Sequence, residues 1–368
     1  MNSESDSPTE TLGDRLWGTV VAVQANFYQV RLSRQEGQMP FSPTFPPTLL
    51  CTRRSRLKKI GQKVMVGDRV AVEPDWNGER GAISEVRPRR SQIDRPPIAN
   101  VDSILLMFAL ADPPLEPLQL SRFLVKAELT GLTVGLCLNK TDLVSPEQCQ
   151  DWRDRLQTWG YDPIFISLQD NEDAVKLRDF FDDRITVVAG PSGVGKSSLI
   201  RHFIPDANPR VGKVSGKLGR GRHTTRHVEL FQLPTGGLLA DTPGFNQPEL
   251  DCTPAELMQA FPEIRQRLEM GSCEFSDCLH GEEPNCAVRG DWERYEYYLL
   301  FLEEAIALAE RNRDRTETEA NLKPKDTRSG EQQYEPKLET KKYRRVSRRR
   351  RHQDLQDLYR EIEEGEID

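Results

Sequence analysis

The stretch Gly190-Pro-Ser-Gly-Val-Gly-Lys196-Ser197 decides the reading of this 368-residue chain. Two glycines bracket four residues ahead of Lys-Ser, an apolar run at 185–189 leads in, and Ser198-Leu-Ile-Arg-His-Phe leads out with helical spacing. A strand, a glycine-rich loop and a helix in that order aim backbone N–H groups and a helix N-terminus at phosphate. Pro191, Ser192, Gly193, Val194 and Gly195 form the cradle, Lys196 reaches phosphate oxygens, and Ser197 is placed to bind magnesium, with Ser198 behind it. By itself the loop leaves the base and the reaction open, and a guanylate-kinase-like nucleotide kinase carries a very similar one.

Working outward, two further motifs narrow the choice. Asp241-Thr-Pro-Gly244 follows the strand-like residues 237–240, which sets the Asp241 carboxylate near the magnesium shell and the Gly244 N–H near a terminal phosphate. Asn139-Lys140-Thr141-Asp142 closes the apolar strand at 134–138. A carboxylate there accepts hydrogen bonds from guanine N1–H and the exocyclic amine, which adenine does not offer in that arrangement. Bonds to a charged group are worth about 1.5–3 kcal/mol each, so two discriminate by roughly a hundredfold or more. GTP, with magnesium, is the expected nucleotide. Ser167-Leu168, after the strand at 164–166, is a weaker match to a loop that backs the base. Buried apolar runs at 104–110, 134–138, 164–166 and 185–189 alternate with amphipathic segments, which predicts a parallel α/β sheet covered by helices over residues 91–250. The base-reading motif precedes the phosphate loop, the reverse of the usual GTPase order, so the fold is circularly permuted.

The flanks carry other chemistry. Cys273, Cys278, His280 and Cys286 fall within fourteen residues, and three thiolates with an imidazole suit one structural zinc ion with no position open to water. That segment spans 251–315 and ends in a helix from about Asp291 to Arg311. Cys51, Cys137, Cys149 and Cys252 lack such grouping and read as packing residues. Upstream, alternating residues Trp17, Thr19, Val21 and Val23, then 27–32, then Val64, Val66, Val70 and Val72, predict a small antiparallel barrel over 13–90. Turns are expected at Gly67-Asp68 and Asn77-Gly78, and Arg53, Arg54, Arg56, Lys58 and Lys59 form a basic loop between strands. Residues 1–12 and the charged stretch 316–368 are expected to be disordered. No apolar run reaches the length that spans a bilayer, and the start MNSESDSPTE lacks the pattern of a signal peptide, so a soluble cytoplasmic protein is expected. The net charge of -7 conceals polarity: without the eight basic residues of 341–351, the remainder carries -15.

With its permuted motif order, the chain resembles the RsgA family of GTPases, which act in biogenesis of the small ribosomal subunit. The likeness covers about residues 13–315. It implies an OB-like barrel, a circularly permuted P-loop GTPase domain and an α-helical zinc segment, acting as a monomer that docks on the 30S subunit and its 16S rRNA. It also implies slow intrinsic hydrolysis of GTP to GDP, stimulated by the subunit. Phe245 occupies the place of the usual water-orienting glutamine, and the resemblance offers His223 as the replacement. In Gly219-Arg-Gly-Arg-His223-Thr224-Thr225 this chain departs from the family's third threonine with Arg226, leaving Thr225 as the residue closing over magnesium. A GTP-gated RNA-binding module with little catalysis is the remaining alternative.

Overall fold

The computed structural model describes residues 16–33, 47–75, 80–94, 96–170, 173–205, 228–234, 236–241, 250–320, 322–326 and 332–336. Five strands close a barrel: β1 (Leu16–Gln24), β2 (Phe27–Leu32), β3 (Thr48–Arg53), β4 (Arg69–Pro74) and β5 (Arg80–Val86), in the order β1-β2-β3-β5-β4. Inward residues Val20, Tyr28, Val30, Leu49, Val70, Val72 and Ile83 alternate with more exposed ones and fill the interior. Two expectations are corrected. The barrel is not wholly antiparallel, because β3 and β5 pair in parallel after the chain crosses from one edge to the other. The basic loop is also more ordered than expected: Arg53 ends β3, and Ser55–Lys59 form the short helix α1, which buries Leu57 against the barrel core and turns its cations outward. Asn77-Gly78 lies outside the described residues.

A hairpin of β6 (Gln92–Asp94) and β7 (Pro97–Ala99) leads to the central sheet. That sheet holds β8 (Ser103–Ala109), β9 (Thr133–Asn139), β10 (Ile164–Phe165), β11 (Ile185–Ala189), β12 (Leu230–Gln232) and β13 (Leu238–Asp241), ordered β10-β9-β8-β11-β13-β12. All neighbours are parallel except β12 and β13. Every residue of β8 is buried, as a strand covered on both faces requires. Its even positions Ile104, Leu106 and Phe108 pack with α2 (Pro117–Glu128) and α3 (Pro146–Thr158) through Leu120, Phe123, Leu124 and Leu156. Its odd positions Leu105, Met107 and Ala109 face Phe181 of the one-turn α4 (Arg178–Phe181) and Leu199 and Ile200 of α5 (Lys196–Phe203). The barrel meets this sheet at two isolated bridges, Ala22 with Glu229 and Val66 with Ile98.

Beyond the sheet come α6 (Pro254–Gln259), capped by the Thr253/Glu256 capping box, then α7 (Pro262–Met270) and α8 (Tyr295–Ala320). The chain divides into two units, up to Ala305 and from Ile306 onward. In the second, α8 continues to Ala320 and β14 (Leu322–Asp326) pairs antiparallel with β15 (Gln332–Pro336), where disorder from residue 316 is expected from sequence. Low hydrophobicity argues against a core there, yet the Ala, Glu and Arg content of 306–320 still favours helix. Residues 1–12 and the basic run 341–351 lie outside the described residues.

Candidate functional site

The parallel strands end together, and their C-terminal edge is where an open α/β sheet binds ligands. There the phosphate loop follows β11, Asn139 closes β9, Ser167 follows β10, and Asp241 ends β13 opposite Val188. Glycine is demanded at two loop positions in particular. Gly190 (φ 144°) would press a Cβ to 2.0 Å from the Met107 carbonyl oxygen, and Gly195 (φ 107°) would press one to 2.4 Å from Asn139 Nδ2. Gly195 immediately precedes α5 and no side chain caps that helix, so its first N–H groups face the loop. Lys196 donates to the carbonyls of Gly190 (2.9 Å) and Pro191 (2.5 Å), which keeps its ammonium inside the cradle. Ser197 is half-buried at the first turn, Val194 is buried in the core, and Ser192, Gly193 and Ser198 are exposed.

The base-reading stretch is tied to this loop. Asn139 is 2% exposed and donates from Nδ2 to the Val194 carbonyl at 2.8 Å, while its Oδ1 has no partner. Such a buried acceptor is costly to leave unpaired, and it marks the place where a polar ligand atom belongs. Lys140 adopts a left-handed backbone (φ 64°), so the chain turns sharply between Asn139 and the exposed Asp142. Ser167 Oγ donates to Asp142 Oδ1 at 2.6 Å, and the Thr141 N–H donates to the Ile166 carbonyl, joining the β9 and β10 loops. Leu168 packs into the core beside the phosphate loop. The structure therefore brings together the sequence-predicted residues at 139–142, 167–168 and 190–198. Only the backbone of Asp241 is described, and His223, Thr225 and Gly244 lie outside the described residues.

In a separate irregular loop, Cys273, Cys278, His280 and Cys286 converge, with all four ligand atoms within 4.8 Å of one another. The three sulfurs lie 3.4–3.5 Å from His280 Nδ1, and Cys273 and Cys286 are 3.8 Å apart. A regular tetrahedron with Zn–S of about 2.3 Å and Zn–N of about 2.0–2.1 Å has S···S edges of about 3.8 Å and S···N edges of about 3.6 Å. The donor set fits such a metal. Burial lowers the His280 pKa, favouring the neutral imidazole that ligation needs. The surroundings hold the loop in shape: Glu283 accepts from the N–H groups of Leu279 and Gly281, and the Arg289 N–H donates to Cys286 Sγ. The Tyr295 hydroxyl reaches the carbonyls of His280 and Gly281, and Tyr298 donates to that of Leu279. The other cysteines differ: burial pushes Cys51 up to about 12 and Cys252 up to about 11, and raises Cys137 and Cys149.

Sequence reasoning missed what fixes this segment to the sheet. Arg294, 0% exposed, makes paired hydrogen bonds of 2.7 and 2.6 Å to Glu263 and lies over the rings of Trp159, Tyr161 and Phe261. Trp159 Nε1 donates to Glu293 at 2.7 Å, and Arg122 grips Glu304 with two bonds. Charged residues are mostly surface residues, so nothing in their spacing marks them as buried.

A model of the family described as RsgA GTPase matches residues 86–251. A relative from Trichormus variabilis, named small ribosomal subunit biogenesis GTPase RsgA, is 63% identical over 95% of this chain and 98% of its own length. The chain belongs to the RsgA GTPase family. A mitochondrial RsgA relative from Arabidopsis thaliana is 42% identical, covering 95% of this chain and 88% of its own. Among solved structures, that of YloQ, described as a circularly permuted GTPase, matches with a TM-score of 0.65 at 29% identity, over 82% of this chain and 98% of that one. YjeQ from Thermotoga maritima matches equally well by TM-score, 0.65, over 79% of this chain and 99% of its own. Family membership sets aside the nucleotide-kinase alternative.

Proposed function

We propose that this protein hydrolyses GTP to GDP and phosphate and acts in assembly of the small ribosomal subunit. The observation that carries the reading is the Asn139–Val194 bond, which joins a guanine-reading loop to a phosphate loop at one sheet edge. Asp142, steadied by Ser167, accepts the guanine N1–H and amine protons, and Asn139, Lys140, Thr141 and Leu168 complete the base pocket. Residues 190–196 and Ser198 wrap the phosphates through backbone N–H groups, with Lys196 turning from its carbonyl partners to phosphate oxygens. Ser197 and Asp241 hold the magnesium ion, which when bound neutralises charge developing on the phosphates. Gly244 meets the terminal phosphate, Thr225 closes over the site, and His223 orients the attacking water.

Cys273, Cys278, His280 and Cys286 hold one structural zinc ion. The barrel, over 13–90, contacts 16S rRNA through its outward cations, and the permuted GTPase domain and zinc segment occupy 91–250 and 251–315. The protein acts as a monomer in the cytoplasm; among the described residues no helix is long and apolar enough to cross a membrane. The test is GTP turnover with and without purified 30S subunits across a salt titration, alongside a search for phosphorylated GMP. Stimulation that fades with rising salt is expected. Turnover unaffected by subunits at every salt concentration refutes the assembly role.

A further inference from the structure

The loop that follows β8 touches both halves of the nucleotide site, and no motif in the sequence points to it. The Leu110 N–H donates to the Asn139 carbonyl at 3.0 Å. Two residues on, Asp112 adopts a left-handed backbone (φ 49°), facing Lys140 in the same conformation. Lys140 Nζ donates to the Asp112 carbonyl, and the Asp112 carboxylate lies 3.7 Å from the same ammonium. The next residue, Pro113, comes within 3.6 Å of where a Cβ on Gly193 would stand, in the middle of the phosphate loop. Four consecutive residues thus brace the base-reading stretch and the phosphate loop at once.

We infer that Asp112 is a positioning residue for bound nucleotide, acting through Lys140. Lys140 stands between Asn139 and Asp142, so wherever its long stem is pinned, the rim between the base and phosphate subsites is set. Its side chain is only 24% exposed, whereas that of Asp112 is 92% exposed and shows no hydrogen bond within the protein that would hold it elsewhere. The carboxylate supplies what the carbonyl alone does not, a charge that keeps the ammonium at this rim when solvent competes for it. Because the pair faces water, its effect is modest and falls with salt. The inference rests on the GTP reading of the site.

The experiment compares Asp112→Asn with the unaltered full chain; asparagine keeps the shape and tolerates the left-handed backbone. Dissociation of a fluorescent GDP analogue is followed in a stopped-flow instrument at low and high salt. A pair of this exposure predicts release faster by about two- to five-fold at low salt, converging with the unaltered protein at high salt. In a Lys140→Met background the Asp112→Asn change is expected to add nothing, a non-additivity that a purely structural defect would not produce. Thermal unfolding should coincide for D112N and the unaltered chain. Equal release rates at low salt, or full additivity with K140M, overturn the inference. Failure of the unaltered chain to bind the GDP analogue would instead sink the GTP reading itself.

Discussion

Replacing Arg294 by alanine should loosen the metal-bearing segment from the sheet more than any other single change at that junction. The substitution leaves the Glu263 carboxylate, 7% exposed, without the guanidinium that bonds both of its oxygens. Removing one partner of a buried pair costs about 3–5 kcal/mol, mostly because the remaining charge stays desolvated. The three rings around Arg294, with centroids 4.7–5.7 Å from its guanidinium carbon, lose their packing partner as well. At about 1.4 kcal/mol per decade, local opening becomes roughly a hundred- to several-thousand-fold more frequent. Native-state hydrogen exchange at the amides of Leu257, Ile264 and Tyr298 reads this directly. The double change Arg294→Met with Glu263→Leu should recover most of the loss, since an apolar replacement of a buried pair is often neutral. An R294A penalty below about 1 kcal/mol, or a double variant as weak as the single one, would refute the claim that charge burial dominates here.

Three other outcomes follow from the geometry. Gly195→Ala forces a side chain into a left-handed backbone 2.4 Å from Asn139 Nδ2, so guanine-nucleotide affinity should fall more than tenfold while circular dichroism stays unchanged; retained affinity in calorimetry would contradict the steric account. Stripping metal with a strong chelator, or Cys286→Ser, should remove one zinc equivalent by elemental analysis and expose the amides of 273–286 to exchange, with those of β8 still protected. Arg122 holds the Glu304 carboxyl below its usual range, chiefly by hydrogen bonding. A depressed folded pKa stabilises above the unfolded value of about 4.3 and is lost as pH falls through the folded one. Urea midpoints should therefore drop more steeply below pH 4 for the unaltered chain than for Glu304→Gln, and parallel curves would count against the pair.

What could be read in advance tracks how far each chemistry constrains its residues. The phosphate loop was legible because backbone N–H groups cannot approach phosphate past a Cβ, which leaves glycines at 190 and 195 as a visible signature. The metal ligands were legible because thiolates and imidazole must crowd one point. The barrel was half legible. β1 and β2 alternate cleanly, but β3 and β5 are short, rich in Thr, Arg, Ser and Gly, and joined in parallel across a long connection that no local pattern announces. Arg294, Glu263 and Asp112 were invisible because their roles depend on residues up to 173 positions distant, as with Arg294 and Ser121.

The position of the chain's entry and exit on the sheet has a mechanical consequence. β8 and β13 are the two strands that flank β11, and all three run in the same direction. The barrel precedes β8 at one edge of the sheet, and the metal-bearing segment follows β13 at the opposite edge. A pull between those two modules that reached the sheet would therefore run lengthwise along its central strands. It would strain the β8–β11 and β11–β13 ladders in shear, with their hydrogen bonds loaded together rather than unzipped one at a time. The strand carrying the phosphate loop sits in the middle of that ladder, at the place best able to bear tension without coming apart.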